Sequence, residues 1–532
     1  MSLAGGARTA PRAEIVRLHQ LSDLAHRALS LEVALLWELS RHRPLSGRPE
    51  ADALLLGTLL GGAGAADFVE RAILLPGWGE GRLLWFSSLV DSRLLDQAIY
   101  GAISARRPGG NAADARPARS VEEAVRALGE GRVLVLLPGR PAALALAAQG
   151  HARRPVGEPQ KETAVRGSRE AFVEDLKDDI ALVRRRVHDP RLRVERLKLG
   201  GLRASDACLV WIQGLSDDAL VNEMRRRLRS IRLSQVPDAR YVEELVTDAP
   251  LSLFPTALVT ERPDTVAAAL DEGRLAVLVD GSPEALILPA TFWSFLQAAD
   301  DYYTSFWIAS FLRLLRFGMT LLALVFPAFY IAVIAFHPEM LPGVLALYLA
   351  RTRLNVPFPA VIEAFLMELA FETLREAGTH LPPKLSTSLS VVGALVIGQA
   401  VVSSGLVSWP IVVVVSVTAI ANFALPSWEM AAGVRLLRFG LMLLAALFGL
   451  PGLLVGLAVI LAHLSGLRSL GVPYLAPLVP LKRAALADTL LRLPHWWPRR
   501  RPALLEPGEP VAVPPGQRPE PPAAAGTAGS PR

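Results

Sequence analysis

The sequence lacks the cysteines that staple small secreted domains, because Cys208 is its only one. An intrachain disulfide is therefore excluded, and a single thiol fits a reducing compartment. Residues 1–26 also lack the apolar run of a secretory signal peptide. We therefore expect the N-terminal half to stay on the cytoplasmic side of a membrane.

Signatures of catalysis, metal binding and nucleotide binding are also missing. The nine histidines show no H-E-x-x-H or other ligand spacing, and no phosphate-binding glycine loop or G-x-S-x-G motif occurs. We expect a protein that is not an enzyme, without catalytic, cofactor-binding or metal-binding residues. Lysine and arginine (56) barely exceed aspartate and glutamate (50), and the net charge of +6 is spread along the chain, so nucleic acid is not an expected partner.

Long uncharged stretches dominate the C-terminal half. Hydrophobic residues make up 52% of the 532 residues and charged residues 20%, with a mean hydropathy of +0.35. A helix rises 1.5 Å per residue, so about 20 apolar residues cross a hydrocarbon layer about 30 Å thick. The sequence predicts about four transmembrane helices, in the uncharged stretches Phe317–Phe336, Leu389–Val407, Pro410–Pro426 and Phe439–Leu464.

Basic residues near these stretches indicate their orientation. Arg313 and Arg316 precede the first stretch, and more basic residues follow the last, so the positive-inside rule places both ends in the cytoplasm. Four spans leave Arg435 and Arg438 outside. A fifth crossing at Phe358–Ala377 would bring them inside but expel the basic tail, so we favour four.

Two regions of the N-terminal half resemble each other. Leu84–Asp91 aligns with Val210–Asp217, and Val125–Gly139 aligns with Val266–Gly281. Each second block has the pattern of a helix, a glycine turn, a strand and a tight turn. Two matched blocks in the same order indicate two copies of one α/β module.

The expected fold is an α/β soluble half with two similar modules, followed by an α-helical membrane domain. The proline-rich tail cannot build a core, and we expect it to be disordered. The predicted parts are a helical or irregular N-terminal extension (1–66), the first module (67–150), a linker and helix (151–189), the second module (190–300), the membrane domain (301–480) and the basic tail (481–532).

Polar residues at helical spacing mark two of the predicted spans. Gln399 and Ser403 share one helix face, and Thr418 and Asn422 share another. The short connection between these spans favours antiparallel neighbours. Polar side chains in lipid require a partner or water, so the two pairs form either helix–helix hydrogen bonds or a water-filled ion pathway.

Carboxylates mark the segment Phe358–Ala377. Glu368, Glu372 and Glu376 form one stripe at a spacing of four residues, with Glu363 well round from it. So many carboxylates make a lipid-exposed span costly. The segment is either an interfacial amphipathic helix, whose glutamates face water with Arg375 paired to Glu372, or the wall of an acidic vestibule that attracts cations.

Several motifs in order, between about residues 67 and 483, resemble the GerA family of spore germination proteins. They are Pro159-Gln160, Arg166–Phe172, Ile180–Pro190, Pro289–Trp293, Asp300–Tyr303, Phe336–Met340, Val356–Glu363, Glu368–Glu372 and Gly471–Pro477.

The resemblance implies an A-type subunit of a nutrient germinant receptor in the inner membrane of a bacterial endospore, with its N-terminal half on the core side. It also implies B- and C-type subunits, further copies of this chain and the lipid bilayer as partners, and ion release by an oligomer when a nutrient binds. The pair Asp178-Asp179 departs from the family, where an uncharged pair with asparagine is usual.

Two other interpretations remain at this point. The chain is a scaffold that binds partner subunits and only anchors in the membrane, or it is a paralogous component of the spore's ion-release machinery without nutrient sensing. A transporter would show inverted repeats in the membrane half, and none is evident.

Overall fold

The computed structural model describes residues 35–61, 65–75, 79–91, 94–95, 115–148, 157–162, 166–201, 203–379, 399–482, 488–497, 499–501 and 507–514, with residues 486, 505 and 517. Within these ranges the N-terminal half holds two antiparallel β-sheets, and the C-terminal half is mainly helical. The predicted succession of an α/β half and a helical half is confirmed.

The first module is a five-stranded sheet covered by helices. Its elements are α1 (Pro49–Leu60), β1 (Phe68–Leu75), β2 (Gly79–Phe86), β3 (Arg116–Ala118), α2 (Val121–Gly129), β4 (Arg132–Leu136) and β5 (Ala143–Ala147). Leu56 and Leu59 of α1 lie in the same hydrophobic core as Leu84 of β2. The first module therefore begins earlier than the predicted boundary at residue 67.

The second module has its own five-stranded sheet and a larger set of helices. Its elements are α3 (Leu176–Arg186), β6 (Leu192–Leu199), β7 (Ser205–Ile212), α4 (Asp218–Ser230), α5 (Ala239–Val246), β8 (Leu258–Thr260), α6 (Pro263–Asp271), β9 (Leu275–Val279) and β10 (Ala285–Leu288).

The two sheets have the same topology, in agreement with the predicted repeat. Their strand orders are β1-β2-β4-β5-β3 and β6-β7-β9-β10-β8, and all neighbours are antiparallel. Residues that align in the sequence also pair alike. Leu84 pairs with Leu134 in the first sheet, and the aligned Val210 pairs with Ala276 in the second.

A buried ion pair joins the first module to α3. The Arg184 guanidinium donates two hydrogen bonds of 2.6 Å to Asp67, and it lies 4.0 Å from the centre of the Phe86 ring. Both charged side chains are buried. The bidentate geometry fixes α3 against the first sheet.

Two helices of the C-terminal half, α8 (Phe306–Phe336) and α12 (Trp428–Gly466), are long and apolar enough to cross a membrane. The described helices are α7 (Asp300–Tyr303), α8 (Phe306–Phe336), α9 (Gly343–Thr352), α10 (Ala360–Thr379), α11 (Trp409–Phe423) and α12 (Trp428–Gly466). The predicted span Pro410–Pro426 falls on α11, which has 15 residues and is short for a crossing. Most of the predicted span Leu389–Val407 lies outside the described residues. Four transmembrane helices are therefore not confirmed.

Helix α12 reverses direction at Gly449, so its 39 residues form two antiparallel rods. Gly449 has φ 63° and ψ −143°, which is not helical. A Cβ at Gly456 would lie 2.4 Å from Leu441 Cδ2, although 15 residues of straight helix would separate these positions by about 22 Å. The predicted span Phe439–Leu464 lies within α12 and is divided at Gly449, where the chain folds back.

The described part of the C-terminal tail has more order than the sequence predicts. Residues 499–500 and 511–513 form a small β-hairpin, β13 (Arg499–Arg500) and β14 (Val511–Val513). Proline and charged residues cannot build a core, but here they bind to surfaces that have already folded. The contacts are Asp488 with Tyr302 (3.0 Å), Arg501 with the Asp271 carbonyl (2.6 Å) and Glu509 with Arg191 (2.5 Å).

Replacement of the reversal glycine tests the fold of α12. Alanine at position 449 would have to adopt dihedral angles that are open essentially to glycine, and its Cβ would lie 3.0 Å from Phe336 Cβ. We expect Gly449→Ala to lower the free energy of unfolding by about 1–3 kcal/mol. Thermal unfolding of the full-length protein in detergent measures this. Gly440→Ala in the same helix is the control, since no atom of another segment lies within 4 Å of its Cβ position among the described residues. Equal effects of the two changes would contradict the reversal.

Burial of Asp179 makes the second module sensitive to pH. Desolvation raises the pKa of this carboxyl from 3.8 to about 8, although the Val173 N–H donates a hydrogen bond of 2.8 Å to it. The folded protein therefore keeps the proton in a range where the unfolded chain loses it. The free energy of unfolding should fall as the pH rises between about 4 and 8.

Asp179→Asn removes this titration and keeps an acceptor for the Val173 N–H. We expect the variant to gain stability over the original chain as the pH rises from about 5 to about 8, with no further gain above that range. Thermal unfolding midpoints across the range provide the measurement. A stability difference that does not change with pH would show that Asp179 is ionised in the folded protein.

A charge cluster inside the apolar helices

The apolar helices bury charged side chains and expose hydrophobic ones, which is the reverse of a helix in water. On α10, Glu363 and Glu368 are 0% exposed, whereas Ile362, Leu366 and Leu369 are exposed. The same inversion occurs on the other helices. Their buried polar residues include Thr418, Asn422, Arg435 and Arg438, and their exposed apolar residues include Val413, Ile420, Leu436, Leu443 and Val459.

Carboxylates of α10 meet arginines of α10 and α12 in a group that we call the charge cluster: Glu368, Glu372 and Arg375 of α10, with Arg435 and Arg438 of α12. Arg438 Nη2 lies 3.1 Å from Glu368 Oε2 and 3.5 Å from Glu372 Oε1. Arg435 Nε lies 3.8 Å from Glu372 Oε1, and Arg375 donates a hydrogen bond of 2.6 Å to Glu372 Oε2. Two carboxylates thus face three guanidinium groups between two helices.

The charge cluster is not fully satisfied by hydrogen bonds. The 3.1 Å contact with Arg438 has poor hydrogen-bond angles, and neither oxygen of Glu368 is hydrogen-bonded within the described part of the chain. Trp428 contacts the charge cluster: the centre of its ring lies 5.5 Å from the Arg375 guanidinium and 5.3 Å from the Arg435 guanidinium. These cation–π contacts partly replace the water that the arginines have lost.

Glu363 lies in a second buried polar site, one face of which comes from α8. Its Oε1 accepts a hydrogen bond from the Ser408 N–H, and its Oε2 lies 3.6 Å from Arg353 Nε. Tyr330 of α8 is close enough to interact electrostatically with Glu363. Among the described residues, the Tyr330 and Ser408 hydroxyls and Glu363 Oε2 have no hydrogen-bond partner.

The structure separates the predicted acidic vestibule into different surroundings. Glu363 and Glu368 are buried, Glu372 is partly buried and Glu376 is exposed. The interfacial alternative required these glutamates to face water, and Glu363 and Glu368 do not. The Arg375–Glu372 pair that the same alternative predicted is present.

The two predicted polar pairs also differ in their surroundings. Gln399 and Ser403 are exposed in a short helix over 399–403, and the Ser403 hydroxyl donates to the Ala400 carbonyl at 3.1 Å. Thr418 is buried and donates to the Val414 carbonyl at 2.7 Å. Asn422 is buried with no partner for its Oδ1 among the residues described. Of the two pairs, only Thr418 and Asn422 of α11 face the interior of the helical half.

A third ion-pair group lies where α8 leaves the second module. Asp301 pairs with Arg313 at 3.0 Å and with Arg316 at 2.8 Å, and Asp488 of the tail pairs with Arg313 at 2.7 Å. Arg313 and Asp301 are almost fully buried. Arg313 and Arg316 are therefore held by carboxylates, and they carry less information about orientation than the sequence suggested.

A cavity of about 1070 Å³ separates the second module from the first turns of α12. The charged side chains in its wall are mostly carboxylates, among them Glu243, Glu261, Glu284 and Glu429, with Lys161 and Arg240 as counterions. Across the described ranges, no group of three or more histidine, cysteine, aspartate or glutamate side chains is arranged to hold a metal ion. The expected absence of cofactors stays a prediction.

Sequence reasoning found the glutamates of the charge cluster but not their partners. Arg435 and Arg438 entered only as charges that disturbed the orientation rule. The signal was available, since two arginines in one apolar helix need carboxylates from another apolar segment. Glu368 and Glu372 stand in such a segment, 60 to 70 residues away in the sequence.

Removal of one side chain of a buried ion pair should lower the free energy of unfolding. Arg438→Met leaves Glu368 without its counterion, and we expect a loss of about 3–5 kcal/mol in the free energy of unfolding. The double change Glu368→Leu with Arg438→Met should recover most of that loss, because no buried charge then lacks a partner. Arg351→Met, at an exposed position of α9, is the control. Thermal unfolding in detergent compares the four proteins, and a double variant as unstable as the single one would contradict the pairing.

Comparison with known proteins assigns the chain to a family. The family described as Bacillus/Clostridium GerA spore germination protein matches residues 62–504. Spore germination protein KA of Bacillus subtilis (strain 168) is 43% identical over 74% of this chain and 73% of its own length. Spore germination protein A1 of the same organism is 36% identical over 77% of this chain and 87% of its own length.

A solved structure also overlaps with part of the chain. The crystal structure of the N-terminal domain of the A subunit of the Bacillus megaterium spore germinant receptor GerK3 is 26% identical, covers 48% of this chain and 97% of that chain, and has a TM-score of 0.34. The family match extends over most of the sequence, including the helices that hold the charge cluster. The chain belongs to the GerA family of spore germination proteins.

Proposed function

We propose that this chain is an integral membrane subunit of a spore nutrient germinant receptor and that it contributes to a gated path for ions. The observation that carries the proposal is the inverted helix surface, with leucines outside and the charge cluster inside. The names of the relatives supply the biological setting, since they are spore germination proteins.

Membrane insertion is favoured because exposure of the apolar helix surfaces to water would be energetically unfavourable. In water, the exposed leucines, valines and phenylalanines of α8, α10, α11 and α12 would form an apolar surface far larger than soluble monomers tolerate. In lipid the same surface is matched to its solvent, and the buried charges are paired as intramembrane charges usually are. Helix α8 has 31 residues, which is about 46 Å, enough to cross the hydrocarbon layer with some tilt.

Ion conduction is supported by polar atoms that the helices bury without satisfying. Glu363 Oε2, both Glu368 oxygens and Asn422 Oδ1 have no hydrogen-bond partner among the described residues. A buried unsatisfied polar atom costs free energy, so such atoms call for a further partner such as water or an ion. In an oligomer, water or a permeating cation can supply the missing contacts.

The proposed assembly places the two modules on the core side of the spore inner membrane. B- and C-type subunits, and further copies of this chain, are its proposed partners. Strand β1 supports a partner-binding role, because it is the edge of the first sheet and its Leu74 is exposed. An unpaired strand edge is a ready surface for another chain.

Potassium efflux from vesicles tests the ion path. We expect vesicles that contain the full-length chain to lose potassium faster than empty vesicles. Asn422→Leu should slow this efflux about tenfold, since a barrier raised by about 1.4 kcal/mol corresponds to that factor. Val413→Leu on the exposed face of the same helix is the matched control, and it should conduct as the original chain does.

Two outcomes would point to other functions. Unchanged efflux with a lowered unfolding temperature would make Asn422 a helix-packing residue and remove it from the path. Vesicles that leak no faster than empty ones would favour the scaffold interpretation, in which the modules bind partner subunits and the helices anchor the complex.

A further inference from the structure

We propose that the loop 249–254 of the second module inserts into the membrane interface, with Leu251 and Leu253 in contact with lipid. This inference rests on the proposed membrane insertion of α8 and α12. It adds that the module is held against the bilayer instead of standing free in the aqueous core. The occupant of this surface is a lipid bilayer, argued below from depth and continuity.

Hydrogen bonds within the loop hold its turn so that the Leu251 side chain lies on the outside of the protein. Ser252 N–H donates to the Ala249 carbonyl at 3.0 Å, and Phe254 N–H donates to the Ser252 hydroxyl at 3.1 Å. Phe254 is buried under this turn, while Leu251 at its tip is 97% exposed. Transfer of a fully exposed leucine side chain from water to an apolar environment is favourable, so contact with lipid would stabilise this arrangement.

The loop is fastened to both rods of α12. The Leu253 carbonyl packs directly on Gly433, where a Cβ would lie 2.2 Å from the carbonyl oxygen. The Ser252 hydroxyl is 2.9 Å from His463 Nε2 in the second rod. Exposed leucines of α12 lie close to these contacts: Leu436, which lines the cavity described above together with Leu253, and Leu461, two residues before His463.

Depth along the helices places the loop at the edge of the hydrocarbon layer. Gly449 packs against Phe336 and His337 at the end of α8, where the exposed Glu339 marks the far surface. Gly433 lies 16 residues before Gly449, which is about 24 Å, and the hydrocarbon layer is about 30 Å thick. Helix tilt shortens the distance further, so the layer extends past the contact between Leu253 and Gly433.

Two neighbours fit the chemistry of an interface at this level. Trp428 is exposed at the start of α12, and tryptophan is enriched where lipid headgroups meet the hydrocarbon. Arg468 is exposed just after the second rod, close to Asp248 through the contact between Asp248 and the Gly471 N–H. Its charge suits anionic headgroups.

A single cysteine reporter tests the insertion in the full-length chain. Cys208 is buried, and burial raises the pKa of its thiol to about 12, so an introduced cysteine reacts selectively. The Leu251→Cys variant is labelled with a fluorophore at the introduced thiol and is inserted into vesicles of phosphatidylethanolamine and phosphatidylglycerol. Leu74→Cys on the edge strand of the first module is the matched exposed control. We expect nitroxide on the lipid acyl chains to remove more than about half of the emission at position 251, as for a side chain 5–10 Å into the interface, and to leave position 74 unchanged.

A third variant separates failure of this inference from failure of the proposed function. Val459→Cys lies on the exposed face of the second rod of α12. Quenching at position 459 without quenching at position 251 would overturn loop insertion and leave the membrane helices intact. No quenching at position 459 would overturn membrane insertion itself. A label at 251 that is shielded from aqueous iodide but not quenched by lipid would show that a second copy of the chain covers the loop, and this result would also overturn the inference.

Discussion

Opposite charges inside apolar helices have to meet, because neither can reach water, and this constraint organises the C-terminal half. Leucine contacts between helices in lipid give little preference for one arrangement over another. The pairing of Glu368 with Arg438 does discriminate, since an arrangement that separates these two groups leaves a buried charge without its partner. The contacts of Arg375 and Arg435 with the Trp428 ring add a second fixed point. A few ion pairs therefore set the alignment that the apolar residues then fill.

The modules and the helices are joined through several of the same kind of contact. Asp301 receives Arg313 and Arg316 at the base of α8, and Arg240 of α5 pairs with Glu429 at the base of α12. Both rods of α12 return to the second module because the chain reverses at Gly449. The second module is thus connected to α8 and α12 through charged contacts with short distances. This arrangement suits a protein in which an event in one half alters the other.

Local pattern predicted the modules well, whereas long-range contacts escaped prediction. The repeat was visible because helix, glycine turn and strand follow one another within 15 residues, and the pairing of Leu84 with Leu134 follows the same rule as that of Val210 with Ala276. The reversal at Gly449 was missed because the apolar run continues through it without a charge. The partners of the arginines in α12 lie far away in sequence, and hydrophobic periodicity does not record such distances. The order in the tail was missed because composition reports only the inability to form a core.

The tail has a mechanical consequence. Its first anchor, Asp488, is fixed to Tyr302 and Arg313 at the foot of α8, and its later anchors, Arg501 and Glu509, are fixed to α6 and to Arg191 of the second module. The described part of the tail therefore contacts both the foot of α8 and the second module. A movement of α8 away from the second module would have to break one of these contacts or straighten the chain between them.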